Sequence, residues 1–504
     1  MWVGVDLGDI GDPAEAFGIT AKRELSRTDS EESFQTALRW IENCKENHIC
    51  SKRLALKSRE SEFLPWPSRL IDVEAFGEGD RDVRLVENDG SKERYVCLSY
   101  CWGQSKTFTT TSRFLRLRKT RINYSTLPQT FRDVVTITRR LGVRYVWIDA
   151  LCIIQDDRLD WEKESVKMGA IYSMAYITIA ADSGRDCHSG CFNTASTSQE
   201  LSFDNTPFPL HSTTPSGEAS TIYLWDPTRG TTKPTPPEID GSPLAERGWV
   251  CQERILSPRI LHYTTSQLFW ECRQTLLAED NLRPWSIYDS SSTTVCGLAR
   301  NLYGTTQDPV GRANLLRIWY NHVVSESYSR RKLTRADDKL TAISGIARAF
   351  GRHFQSTYLA GLWALDLPWG LSWRRRGLVS RPVEYRAPAF SWASLDAIVE
   401  WPVVSTKSVA KIKVVDVHVE LSSGDPFGRV SGCWVKVEGY VSRARVTARK
   451  RLLAGGVSVV WEMFGEMGQL PLGTVFMDDD EVDLAGQDGE RLRWVEYLVL
   501  SHDG

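Results

Sequence analysis

Between Tyr95 and Asp182 the hydrophobic pattern switches repeatedly between two periods. Tyr95 to Leu98 is an apolar run of strand length. Thr126-Leu127-Pro128 then opens a helix whose inner stripe is Phe131, Val134, Val135, Thr138 and Leu141, with Gly142 as its stop. A second apolar run, Tyr145-Val146-Trp147-Ile148, gives way to an acidic turn from Gln155 to Asp160. A segment of helical period and a β-branched run from Tyr176 to Ala180 follow. Strand, helix, strand, helix, strand predicts an α/β layer with a parallel sheet core, right-handed crossovers and flanking helices. Ligands of open parallel sheets gather beyond the carboxyl ends of the strands. Ser99, Tyr100, Trp102 and Gly103 after the first strand, and Asp149, Cys152, Gln155 and Asp156 after the second, are therefore expected on one rim.

One residue breaks the pattern of the second helix. With Asp160 as the expected N-cap, Trp161, Met168, Ile171, Tyr172 and Ala175 form the apolar face, and Glu162, Lys163 and Lys167 point elsewhere. Glu164 lies three residues after Trp161 and four before Met168, so it shares the face that is to be buried. A carboxylate there costs several kcal/mol unless it is paired or put to use. Glu164 is thus the candidate for chemistry, the alternative being a structural partner for a buried Arg or a backbone N–H.

The flanks read as follows. Residues 1–35 are polar and expected to be poorly ordered, and 36–94 hold strands around RLID and DVRLVE after an amphipathic helix on which Phe34, Leu38, Ile41 and Cys44 or Lys45 recur at helical spacing. The α/β domain spans 95–275, with a core at 95–182 and a closing block at 245–275. Between them lies a Ser/Thr/Pro/Gly-rich excursion with one hairpin around Thr221 to Leu224. In the closing block a short helix from Trp249 to Ile255 precedes strands at 259–264 and 267–272. Glu246, Arg247, Gln252, Glu253 and Arg254 concentrate opposed charge there. They form either an ion-pair network or, with Trp249, Gln252, Glu253 and Arg254, a second wall of the site. A helical, Trp-rich region at 276–400, whose second helix is capped by Asp337 or Asp338, and an antiparallel β-rich domain at 401–504 complete the chain.

Composition narrows the classes. The 19 Trp predict aromatic-rich packing in which buried indoles need N–H partners, and a formal charge of −2 gives no pull toward nucleic acid or acidic membrane. The basic stretch RFLRLRKTR reads as a solvated helix or loop. No apolar window is long enough to span a bilayer and the start lacks a secretory signal, so a cytoplasmic protein is expected. The 11 cysteines are scattered and suit reduced, buried thiols. Cys44, His48 and Cys50, and likewise Cys187, His188 and Cys191, are zinc-type ligands without an evident fourth. The expectation is no disulfide, no complete metal site and no bound cofactor.

YVCLSYCWG, the block from LPQTFRDVV through DALCIIQDDRLDWEKESVKMGAIYSMAYITIAAD, and ERGWVCQERILSPRILHY resemble successive blocks of the fungal heterokaryon incompatibility (HET) domain family. Cys97 and Ala150 stand where that family usually has small residues, and the later GLW, LSW and APAFSWAS blocks resemble its downstream part. The resemblance implies a fungal protein of non-self recognition whose domain triggers programmed cell death. It also implies a relation to Toll/interleukin-receptor (TIR) domains, some of which cleave NAD with a helix-borne Glu near a Trp. Glu164 beside Trp161 would be that pair here, with NAD as substrate rather than cofactor, Trp102 and Tyr100 as base-holding aromatics and Asp149 on a ribose hydroxyl. The other function the resemblance implies is a non-catalytic signalling module that acts by homo-oligomerisation or on a protein partner. No GxGxxG nucleotide fingerprint is present.

Overall fold

The computed structural model describes residues 27–48, 50, 66–88, 93–104, 108–193, 208–225, 237–281, 309–376, 384–402, 412–422 and 424–439, with Pro382 and short segments at 4–7, 13–17, 24–25, 197–198, 409–410, 441–453, 456–464, 471–475, 493–498 and 501–502. The chain divides into two compact units. The first comprises residues 1–306, 331–333 and 341–349, and the second 307–330, 334–340 and 350–504.

The first unit is built on an eight-stranded mixed sheet. Its strands are β1 (Arg69–Asp72), β2 (Arg84–Glu87), β3 (Tyr95–Ser99), β4 (Tyr145–Trp147), β5 (Ile177–Ala181), β6 (Arg259–Tyr263), β7 (Leu268–Cys272) and β8 (Leu276–Ala278), in the spatial order β8-β7-β6-β5-β3-β4-β1-β2. β6, β5, β3 and β4 are mutually parallel, and antiparallel hairpins extend the sheet on both sides. The expected parallel core is thus present within a wider mixed sheet. β3 is its centre: every one of its five residues is buried, as are those of β5, β6 and β7. Burial on both faces explains why these strands read as continuous apolar runs instead of alternating. Because β4 and β5 both pair with β3, the helix joining them crosses over the central strand. β5 and β6 are adjacent although the whole excursion from Asp182 to Pro258 lies between them.

Around the sheet lie α1 (Glu31–Asn47), α2 (Leu115–Thr120), α3 (Gln129–Arg140), α4 (Asp149–Cys152), α5 (Arg158–Met174) and α6 (Val250–Leu256). α1 starts inside the segment expected to be poorly ordered, because Ser30 caps it by accepting from Ser33 N at 3.2 Å. Gly4–Leu7 also pairs with Ala219–Trp225, whose hairpin with Phe208–Thr213 is the one expected in the excursion. α3 stops as predicted, with Gly142 at φ 64° accepting the left-handed position after its end. The basic stretch is α2, and its charges are largely consumed locally: Arg121 pairs with Asp80 and Asp82, Lys119 with Glu87, and Arg118 donates to Thr109 O.

The start of α5 corrects the expected cap. Asp157 is the N-cap, accepting from Leu159 N at 2.9 Å and Asp160 N at 3.2 Å. Asp160, one turn in, turns back to accept from Ile154 N at 2.8 Å and to pair with buried Arg69. Asp149–Cys152, expected as the run into a turn, is a single helical turn.

The second unit begins with α7 (Pro309–Arg317), continued by a π-helical stretch at Ile318–Tyr328. The expected capping by Asp337 or Asp338 is not found. These residues lie in a separate 3-10 turn, where Asp338 pairs with Arg429, and the α-helix begins only at Ser344, a residue of the first unit. The expectation that buried indoles find partners holds in part: Trp319 and Trp392 both donate to Gly361 O at 3.1 Å, whereas the buried N–H groups of Trp363 and Trp369 have no hydrogen-bond partner among the described residues. Gly361 has φ 105°, and a Cβ there would stand 2.5 Å from the Trp392 indole nitrogen, so only glycine fits. The described part of the β-rich region is antiparallel, a hairpin of Ile412–Leu421 with Val430–Gly439 and a separate four-stranded sheet.

Replacing Asp157 by Ala is expected to cost about 1 kcal/mol, as for a lost cap. Asp160→Ala strands the buried Arg69 guanidinium and is expected to cost roughly 3 kcal/mol. Denaturant unfolding of the two variants checks the order; equal losses would return the cap to Asp160.

Candidate functional site

The carboxyl ends of β3, β4, β5 and β6 lie on one edge of the sheet, and the polar groups of the first unit converge there. β3 ends in Ser99, whose hydroxyl donates to Glu253 Oε2 at 2.5 Å. Glu253 comes from α6 and is buried, as Ser99 is. After β4, Asp149 opens α4, accepts from its neighbour Ala150 N at 2.6 Å and takes the Trp102 indole N–H at 2.7 Å. Tyr100 is buried beside Asp149, edge-on to Phe131 with ring centroids 5.3 Å apart. Tyr172 of α5 donates to Leu98 O at 3.0 Å and lies against Glu253. Arg247, half-buried, faces both Asp149 and Glu253.

Burial dominates the electrostatics of this group. It pushes the Glu253 carboxyl up to about 7, against the help of Ser99 and Arg247, and the nearby Asp149 charge adds to the rise. Asp149 is raised for the same reason, with Trp102, Arg247 and the Ala150 N–H opposing. Two carboxyls that resist ionisation around one guanidinium make a site in which a proton or a cationic ligand is readily held.

Alongside runs a second network. His262 Nδ1 lies 2.8 Å from Asp182 and Nε2 lies 3.0 Å from Glu271. Arg254 donates to Glu271 at 2.7 Å and to Asp240 at 2.9 Å. Burial opposes the His262 charge, but Asp182 and Glu271 outweigh it and raise the imidazole. Burial likewise opposes the Glu271 charge, yet Arg254 and His262 hold that carboxyl at about 2. Ser99, Glu253, Arg254, Asp182, His262 and Arg331 line a narrow cleft with space for about one water molecule.

The residues picked from the sequence divide accordingly. Ser99, Tyr100, Trp102, Asp149 and Glu253 come together. Gly103, φ 76°, serves a close approach, since a Cβ would meet Asp186 Cβ at 2.3 Å. Cys152 is buried, its thiol pushed up to about 12 by burial, and its carbonyl accepts from Arg69 at 2.7 Å. Gln155 donates to Asp149 O at 3.1 Å and so fixes the turn, whereas Asp156 is spent on Ser112 N at 2.7 Å. Trp161 and Trp249 are half-buried against the core. Gln252 accepts from Gly345 N at 3.1 Å, and Arg254 belongs to the ion-pair network.

Glu164 is fully buried, as its helical position requires. Its oxygens are taken by Ser68 N at 3.2 Å, Ser68 Oγ at 2.6 Å and Lys167 Nζ at 2.7 Å. Lys167, expected to point away, bends over it. These contacts join α5 to the residue before β1, which is the backbone-partner alternative raised by the helical pattern.

Asp182, His262 and Glu271 were not anticipated. The only sequence signal is polar residues within or just after apolar strands, as in RILHY and LFWEC. The metal expectation also changes: Cys44, His48 and Cys50, short of a fourth ligand by spacing, are joined in space by Cys272. All ten described cysteines are free thiols.

In comparisons with known proteins, residues 95–253 match the family described as Heterokaryon incompatibility protein (HET). No curated protein matches, and no solved structure matches. No helix among the described residues is long and apolar enough to cross a membrane.

A raised carboxyl favours its protonated form in the folded chain. The stability Glu253 contributes is complete below its unfolded value near 4.5 and is lost as pH rises through about 7. Glu253→Gln is therefore expected to gain on the parent between about pH 5 and pH 8, by up to about 3 kcal/mol. Unfolding at both ends of the range checks this; a pH-independent difference would place the Glu253 carboxyl at an ordinary value.

Proposed function

We infer that this chain, a heterokaryon incompatibility (HET) domain protein by residues 95–253, acts in fungal non-self recognition and carries its death signal through chemistry at the strand-end carboxylates. The reaction the site supports best is hydrolysis of the nicotinamide N-glycosidic bond of NAD. One observation carries this reading: Asp149 and Glu253 are buried together at the carboxyl ends of β3 and β4 with Trp102, Tyr100 and Arg247 around them.

In that reaction the bond from ribose C1′ to the ring nitrogen breaks, and its electron pair leaves with nicotinamide, cancelling the ring's positive charge. The cationic sugar is stabilised by a carboxylate, water adds to C1′, and a proton is released. Asp149, on which Trp102 and Arg247 partly offset the burial that disfavours its charge, is the carboxylate that supplies the negative charge. Glu253, with its affinity for a proton near neutrality, suits the role of accepting the proton from water. Glu164 remains the carboxylate proposed from the resemblance, but its bonds to Ser68 and Lys167 favour a positioning role for α5.

A second reading has its own support. Asp149, Glu253 and Glu164 all hold internal partners, as expected of a domain that signals by assembly without chemistry.

Concentrated purified protein incubated with NAD is expected to release nicotinamide. Asp149→Asn and Glu253→Gln should each lower the rate about 10²–10³-fold. Glu162→Gln, on the exposed pair with Arg158, should leave it unchanged. Glu164→Gln should lower the melting temperature more than the rate. Absence of nicotinamide release, together with undiminished toxicity of Glu253→Gln in a fungal host at equal abundance, would replace catalysis by assembly.

A further inference from the structure

Cys44 lies in the last turn of α1, His48 at its C-cap and Cys50 just beyond, while Cys272 is the last residue of β7. Their three sulfurs and one imidazole nitrogen all lie within 4.8 Å of one another. Among the described residues this is the sole group of three or more such side chains so arranged. The three cysteines are buried and unbridged, and His48 is half-buried.

Their surroundings suit thiolates. The N–H groups of Gln274 and Thr275, in the turn after β7, both approach Cys272 Sγ at 3.4 Å. The Arg273 N–H serves Cys50 in the same way. On β6, directly opposite Cys272, buried Arg259 donates through Nε to Cys44 Sγ at 3.3 Å. Backbone donors and a guanidinium aimed at sulfur stabilise negative charge there, and such outer contacts are what orient metal-bound thiolates. The His48 ring presents Nδ1 to the group, 3.3 Å from Cys272 Sγ.

We propose that Cys44, His48, Cys50 and Cys272 form a structural zinc site of the Cys₃His type. Zinc at about 2.3 Å from sulfur and about 2.0–2.1 Å from nitrogen puts tetrahedral ligand atoms roughly 3.5–3.8 Å apart, a spacing these four reach with small movements. Four protein ligands leave no open position, so the ion serves the fold and not a reaction. Three thiolates around a dication leave one negative charge, which the Arg259 guanidinium offsets. The site fastens α1 to the β6–β7 end of the sheet. Its ligands come from before and after residues 95–253, so the ion clasps the two flanks of the HET-matched segment.

Elemental analysis of the purified full chain is expected to find about one zinc per chain, falling to background in Cys272→Ser and retained in Cys433→Ser, whose cysteine lies outside the cluster. Should Cys272→Ser fail to fold, the parent chain produced with cobalt reads the site directly. Tetrahedral thiolate coordination gives an intense visible d–d band and a near-ultraviolet sulfur-to-cobalt charge-transfer band. A chelator strong enough to strip the ion should lower the melting temperature, and returned zinc should restore it. Folded parent chain with neither zinc nor a cobalt spectrum, zinc unchanged in Cys272→Ser, or a disulfide between any two of these cysteines would each overturn the assignment.

Discussion

A parallel sheet buried on both faces must end somewhere, and where it ends the backbone stops supplying hydrogen-bond partners. In the first unit that edge is filled by side chains instead: Ser99 holds Glu253, Trp102 holds Asp149, and His262 bridges Asp182 and Glu271. All of these contacts except His262–Glu271, which spans one hairpin, join elements distant in the chain. The Ser99–Glu253 bond ties the central strand to α6, and the His262 pair ties the end of β5 to β6 and β7. Desolvation makes such groups costly alone and tightly specified together, since removing one partner leaves another buried without compensation. The same requirement that seals the sheet thus concentrates reactive groups on one rim.

Two kinds of carboxylate result. Glu271 is held ionised by Arg254 and His262 and contributes as a fixed charge. Glu253, with a hydroxyl and a half-buried Arg247 as company, is balanced near neutrality and can change state. Position in the fold differs little between them; the strength of the cationic partner decides.

The strands and helices of the core were legible because burial on both faces and helical period leave strong local signals. Glu164 shows where such signals stop. Its periodicity correctly placed it inside, but what a buried carboxylate does depends on its partner, and Ser68 lies almost a hundred residues away in sequence. Asp157 and Asp160 were exchanged for a similar reason: both suit a cap, and only the tertiary pairing of Asp160 with Arg69 separates them. Cys272 joined the cysteine cluster through sheet topology, which no local spacing encodes. Glu253 was within reach from the start, as one of the candidates for a second wall, because opposed charges beside an apolar helix need partners nearby.

The adjacency of β5 and β6 has a kinetic side. Pairing them closes the long excursion between Ala181 and Arg259, yet the entropic cost of closing a flexible loop grows only as the logarithm of its length, about 0.6 kcal/mol for each doubling. Length changes in the exposed hairpin of this segment therefore weigh little on loop-closure entropy, while the search for the β6 pairing delays folding, since non-local contacts form late. Length changes confined to the exposed Phe208–Thr213 strand and its turn can thus be absorbed while the buried parts of the same segment, α6 among them, stay fixed.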